Sequence, residues 1–226
     1  PLSFLVGCKV SANVNLKFAK ETASNMIGSI EGNDPVLKDE YIVVGAHFDH
    51  LGLGGSRSGS LDPDTLIIHN GADDNASGTA GILELSHKLI SNRHLLKRSV
   101  LVVCFDAEEK GLLGSKYYVK NPVRNLSNSA MMVNMDMIGR LNDNPVILGG
   151  VGSSGNFVNI IADTRNSHTL EIETNMGGMD FGRSDHASFY RENIPVLFFF
   201  TGAHEDYHKP TDDWDKIDYK GEKKVL

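Results

Sequence analysis

Cysteine, long apolar runs and basic charge are all scarce in this chain, and each shortage removes a class of protein. Only Cys8 and Cys104 occur in 226 residues, too few for a disulfide framework. Cys104 lies inside the apolar run VLVVCF and is expected as a core thiol. No apolar run approaches the roughly 20 residues that span a bilayer, so no membrane-spanning segment is expected. No signal peptide is visible, and the chain opens on Pro1, which fits a mature or trimmed piece. A formal net charge of -7 argues against a nucleic-acid partner, which calls for a basic face. No repeat, low-complexity tract or linker divides the chain, so residues 1–226 are expected to form a single domain with a substantial core.

What is present alternates between strand and helix patterns. The opening, Phe4 to Phe18, is rich in β-formers and reads as one or two strands, and NMIGSIEG (25–32) as a further short one. YIVVGAHFDH is an apolar run that stops at metal-capable residues, as a buried central strand would. The Gly- and Ser-rich stretch from Gly52 to Leu61 reads as a loop; no GK[ST] closes it, so a phosphate cradle is disfavoured. Gly81 to Ile90 is helix-like, with Ala80, Leu83 and Ile90 on one face and Ile82, Leu85 and Leu89 beside it. Further strands are expected at 99–105, 131–137, 145–148, 169–174 and in IPVLFFF, with helices at 157–163 and 185–191 and another begun after Trp214. This order implies an α/β fold: a mixed, mainly parallel central sheet flanked by helices.

In such sheets ligands bind beyond the carboxyl ends of the strands. The candidates there are His47, Asp74, Glu108, Glu109, Asp136 and His208. Imidazoles mixed with carboxylates suit zinc, whereas calcium and magnesium favour oxygen alone. Each residue also has an ordinary reading. A lone strand-end His is commonly structural, Glu108-Glu109 would serve as a solvated turn, and NGADDNASGTAG (70–81) alone fits a capped helix. The common edge is what sets these six apart.

The pieces AHFDH, NGADDNASG, DAEEKGLLGS, NMDMIG, GRSDHASF and YHKPTDD together resemble the catalytic domain of the co-catalytic dizinc aminopeptidases, of the bacterial leucyl aminopeptidase type. Relatives of that family include glutamate carboxypeptidases and glutaminyl cyclases. The resemblance covers residues 42 to 218 and implies two Zn2+ per chain in a zinc-peptidase, phosphorylase/hydrolase-like architecture. It implies that Asp74 bridges the ions, with His47 and Asp136 completing one and Glu109 and His208 the other. Glu108 would be the general base acting on water held between them, and Tyr207 would steady the oxyanion, although a packing role for that Tyr is an equal reading. Asp49 is expected to accept the free ring N–H of His47, and Asp185, with His186, to support the site without touching metal. A cis peptide is expected between Asp74 and Asn75.

The substrates implied are peptides with a free N-terminus, and a pocket of Met176, Met179, Phe181 and Phe200 suggests a first residue such as Leu, Met or Phe. A one-zinc glutaminyl-cyclase-like acyltransferase and a zinc carboxypeptidase on the same fold are the alternatives. A carboxypeptidase would need basic residues for a terminal carboxylate, and only Arg183 lies near the motifs. A ligand-free binding domain is the remaining reading, disfavoured because no ligand is missing. Asn75 and Asn125 each begin a glycosylation sequon, and a glycan at Asn75 would block the site. Kinship with exported family members implies a periplasmic or secreted protein.

Overall fold

The computed structural model describes residues 7, 9, 11–16, 20–167, 170–174 and 182–226. Among the described residues seven strands form one sheet: β1 (Met26–Ile30), β2 (Tyr41–His47), β3 (Ser99–Phe105), β4 (Ser129–Met135), β5 (Val146–Gly149), β6 (Ile172–Thr174) and β7 (Val196–Phe200), in the order β1-β3-β2-β4-β7-β5-β6. The four central strands β3, β2, β4 and β7 are parallel; β1 and β5 pair antiparallel with β3 and β7, and β6 runs parallel to β5. The sheet is therefore mixed and mainly parallel, as the alternating pattern implied. Among the described residues five helices pack around it: α1 (Gly78–Ser91), α2 (Leu113–Lys120), α3 (Phe157–Ser167), α4 (His186–Tyr190) and α5 (Tyr219–Val225).

The near-continuous apolar runs of β2 and β3 are explained by burial on both faces. Tyr41, Val43, Leu101, Val103 and Phe105 point to one side and pack with Tyr118 of α2 and Phe189 of α4. Val44, Ala46, Val100 and Val102 point to the other, against Ile82 of α1, with Leu85, Leu89 and the end of α5 closing the layer. Cys104 is half-buried against that second layer.

Two expectations need correction, and one helix comes in addition to those expected. Among the described residues of the opening, 11–16 form no strand, and the rest of Phe4 to Phe18 lies largely outside the described residues. Helix α1 is turned from the expected face: Leu83 and Ile90 are 58% and 53% exposed, while Ile82 is fully buried. Gly78 and Gly81 cause this. A Cβ on Gly78 would sit 2.5 Å from the carbonyl oxygen of Met135, and one on Gly81 would sit 2.8 Å from Ile138, so the glycine stripe lies closest to the sheet. The helix α2 was not anticipated; it follows Gly111 and a left-handed Leu112, which hide its start.

Candidate metal centre

The carboxyl ends of the parallel strands bring the candidates together. His47 is the last residue of β2, Glu108 and Glu109 follow β3, Asp136 follows β4, and His208 lies in the segment after β7. Asp74 comes from a wide turn, Ala72–Ser77, that precedes α1 and starts from Gly71 at φ 59°. The Asp74–Asn75 peptide is cis. Asn75 ties this turn to the end of β4: its Nδ2 donates to the Met135 carbonyl at 3.0 Å, and its Oδ1 accepts the N–H groups of Met137 (3.2 Å) and Gly78 (3.0 Å). It is 2% exposed, so the sequon that begins there is closed to a glycan. Asn125, which begins the other, is exposed.

Asp74 divides its carboxylate between two groups. Its Oδ1 lies 3.3 Å from His47 Nε2, which is itself 3.5 Å from Asp136 Oδ1. Its Oδ2 lies 3.2 Å from His208 Nε2, which is 3.3 Å from Glu109 Oε2. Donors bound about 2.0–2.1 Å from a tetrahedral zinc stand about 3.3 Å from one another, whereas an N–H···O hydrogen bond closes to about 2.9 Å. The spacings and the mixed nitrogen and oxygen donors therefore fit zinc on both sides of Asp74. His50 also reaches the second set, with Nδ1 2.9 Å from Glu109 Oε1 but 3.9 Å from Asp74 Oδ2. Either His50 or His208 completes three donors there, and His208 is the better placed because it stands nearly equidistant from the other two.

Asp49 sits differently from expectation. The Nδ1 of His47 lies 3.1 Å from the backbone carbonyl oxygen of Asp49 and 3.7 Å from its carboxylate. The carboxylate instead accepts the backbone N–H groups of Glu108 (2.9 Å) and Glu109 (3.2 Å). The alternation of a strand would have placed side chains 47 and 49 together, but β2 ends at His47 and the chain turns.

The electrostatics record concentrated negative charge. Burial pushes Glu108 up to about 9, with Asp136, Asp185 and Glu109 adding to it against His47. Burial works against protonation of His208, yet Asp74 and Glu109 lift it to about 10. His47 is likewise raised, Asp136 outweighing its burial. Asp74 and Glu109 are lowered despite burial, each by the histidines beside it. Burial holds Asp185 at about 7; it is fully enclosed beside a buried His186 and does not join either donor set. The raised histidines and the raised Glu108 register one excess of negative charge, which cations bound there would offset.

A cavity of about 340 Å³ opens onto this cluster, lined by Glu108, Met137, Arg183, Phe198, Phe200, Ala203 and Tyr207 besides the ligand candidates. Tyr207 stacks on His208 with ring centres 3.9 Å apart, and burial among the carboxylates holds its phenol well above the usual range. Phe200 stacks on Phe198 at 5.8 Å. Met176, Met179 and Phe181 lie outside the described residues.

Behind the cluster is an ionic frame that sequence reasoning missed. Asp212 Oδ2 accepts the N–H groups of Asp73 (2.9 Å) and Asp74 (3.0 Å), while its Oδ1 pairs with Arg140 at 2.8 Å. Arg140 also meets Asp206 at 3.3 Å, and Asp73 meets His204 at 3.2 Å. The signal was position alone: Asp212 is the first acid of the pair that ends the motif YHKPTDD, and Asp73 adjoins Asp74.

The family model described as Peptidase family M28 matches residues 25–226. Leucine aminopeptidase 2 of Arthroderma otae is 30% identical over 201 residues, which cover 86% of this chain and 37% of that protein. The chain thus spans little more than a third of the length of that curated relative. A zinc aminopeptidase from Bacillus subtilis superposes with a TM-score of 0.68 at 25% identity, over 89% of this chain and 47% of that one. The glutaminyl cyclase of Bacteroides thetaiotaomicron shares the fold at a TM-score of 0.66 and 22% identity, over 89% and 73%.

Proposed function

This chain belongs to peptidase family M28, and from that premise we propose that it is a two-zinc aminopeptidase that removes an apolar first residue from peptides. The observation that carries the reading is the division of Asp74, one oxygen 3.3 Å from His47 and the other 3.2 Å from His208. His47, Asp74 and Asp136 would hold one ion, and Asp74, Glu109 and His208 the other. Zinc ions held there would supply Lewis acidity, polarising the scissile carbonyl and acidifying a water.

The chain's own residues carry the rest. Burial favours the neutral form of Glu108, while cations beside it favour the charged form. A carboxyl between such opposed influences is suited to take a proton from water and return it to the leaving amine. Tyr207 keeps its proton at neutral pH, so its O–H is available to donate to the oxygen on which negative charge develops. The carboxylates of Glu108 and Asp136 offer a protonated α-amine the negative field it needs. Met137, Phe198 and Phe200 give the cavity an apolar wall suited to Leu, Met or Phe.

The names of the relatives, a leucine aminopeptidase and a zinc aminopeptidase, support the same reading. Arg183 at the cavity, with no ion pair among the described residues, is what a carboxypeptidase reading would use. Release of p-nitroaniline from leucine p-nitroanilide tests the proposal. Activity is expected to vanish on chelation and return with zinc. Inactivity of zinc-loaded protein, with turnover of an N-terminal Gln peptide or an N-blocked peptide instead, would overturn it in favour of the cyclase or the carboxypeptidase.

A further inference from the structure

His50 stands beside Glu109 without the spacing of the other donors. Its Nδ1 is at hydrogen-bond distance, 2.9 Å, from Glu109 Oε1, and 3.9 Å from Asp74 Oδ2. Glu109 thereby splits its carboxylate. Oε1 is engaged by His50, and Oε2 faces His208 at 3.3 Å, on the side of Asp74 Oδ2.

The His50 ring is itself fixed. Gly71, at φ 59°, lies against it, and a Cβ there would come 2.7 Å from the ring carbons Cγ and Cδ2. His208 meets it edge-on at 5.9 Å, and His69 lies tilted at 6.5 Å. The ring cannot swing away without disturbing the turn that carries Asp74. A carboxylate oxygen only accepts, so Nδ1 is the donor of this pair. The other nitrogen, Nε2, is buried and has no hydrogen-bond partner.

We infer that His50 is a positioning residue: it donates its Nδ1–H to Glu109 Oε1 and so presents Oε2 as a single-oxygen metal ligand beside Asp74 and His208. Asp49 does the matching work on the main chain, since its carboxylate takes the N–H groups of Glu108 and Glu109. The dipeptide Asp49-His50 thus grips the dipeptide Glu108-Glu109 by backbone and by side chain. A carboxylate left free would rotate and lose the cost-free orientation that a pre-set ligand offers. This inference rests on the two-zinc reading above, because it assigns His50 to one ion only.

The test is zinc affinity, measured on metal-free protein by competition with a chromophoric chelator, with the absorption of bound cobalt(II) as a second readout. Wild type is expected to take up two ions. In His50→Phe one of the two affinities falls about 10–100-fold, and the other stays as in wild type. In His50→Asn, whose amide nitrogen falls where Nδ1 was, both stay within about threefold. His50→Ala carries the same expectation as His50→Phe should the larger ring prevent folding. Equal weakening of both ions, or of neither, would overturn the inference. So would a His50→Asn variant as weak as His50→Phe, which would mark His50 as a ligand instead. Wild type that binds a single ion contradicts the two-zinc reading itself and this inference with it. Failure confined to the variants contradicts only the role of His50.

Discussion

Asp212 holds Asp74 from behind: its Oδ2 accepts the Asp74 backbone N–H at 3.0 Å, and the same oxygen takes the N–H of Asp73. Its other oxygen neutralises Arg140, whose side chain is 10% exposed. Removing this carboxylate would leave a buried guanidinium with Asp206 alone and two N–H groups unpaired. Asp212→Ala is therefore expected to cost about 3–5 kcal/mol of stability, measured by urea unfolding, and to weaken zinc uptake because Asp74 loses its support. A loss below about 1 kcal/mol would show that the frame is not what fixes the turn.

Glu108 touches no donor set but lines the cavity. Glu108→Gln keeps its shape and removes its proton exchange. Turnover is expected to fall about 10²–10⁴-fold with the zinc content unchanged. A variant that loses zinc in proportion to activity would place Glu108 among the ligands instead.

Glu222 of α5 gives a pH prediction away from the metals. Burial, aided by Asp73, pushes it up to about 7 from an ordinary 4.5. Between those values the folded chain holds a proton that the unfolded chain has released, so stability falls as pH rises through that window. Glu222→Gln should flatten the slope and raise stability above pH 7 by about 1 kcal/mol, less than the full shift would give because some solvent screening remains. Thermal unfolding from pH 4 to 8 measures it. Parallel curves for wild type and variant would refute it.

How much of this was legible depended on what each residue does. Central strands must be apolar on both faces, so the runs at Tyr41–His47 and Ser99–Phe105 stand out in the sequence, and the polar residues that end them mark the site. Helix α1 has apolar residues at 82, 83, 85, 89 and 90, enough for two faces. Only the close approach at Gly78 and Gly81 selects the buried one. The first-contact candidates were visible because imidazole and carboxylate carry their chemistry openly. His50, Asp212 and Arg140 act by holding other residues, and a sequence displays no difference between a polar side chain that holds another and one that faces water.

The apolar cavity wall predicts selectivity. Phe200 stacks on Phe198 and faces the cavity, so Phe200→Ala is expected to lower kcat/KM for leucine p-nitroanilide about tenfold or more while turnover of alanine p-nitroanilide changes little. An equal fall on both substrates would remove Phe200 from the first-residue pocket.

We propose that Asp74, shared by two zinc ions, makes this chain an aminopeptidase. The most direct test is a zinc titration of the metal-free protein, following hydrolysis of leucine p-nitroanilide at each equivalent. Activity that rises until two equivalents per chain have bound is the expected result. Full activity at one equivalent, or none at any loading, would contradict the account.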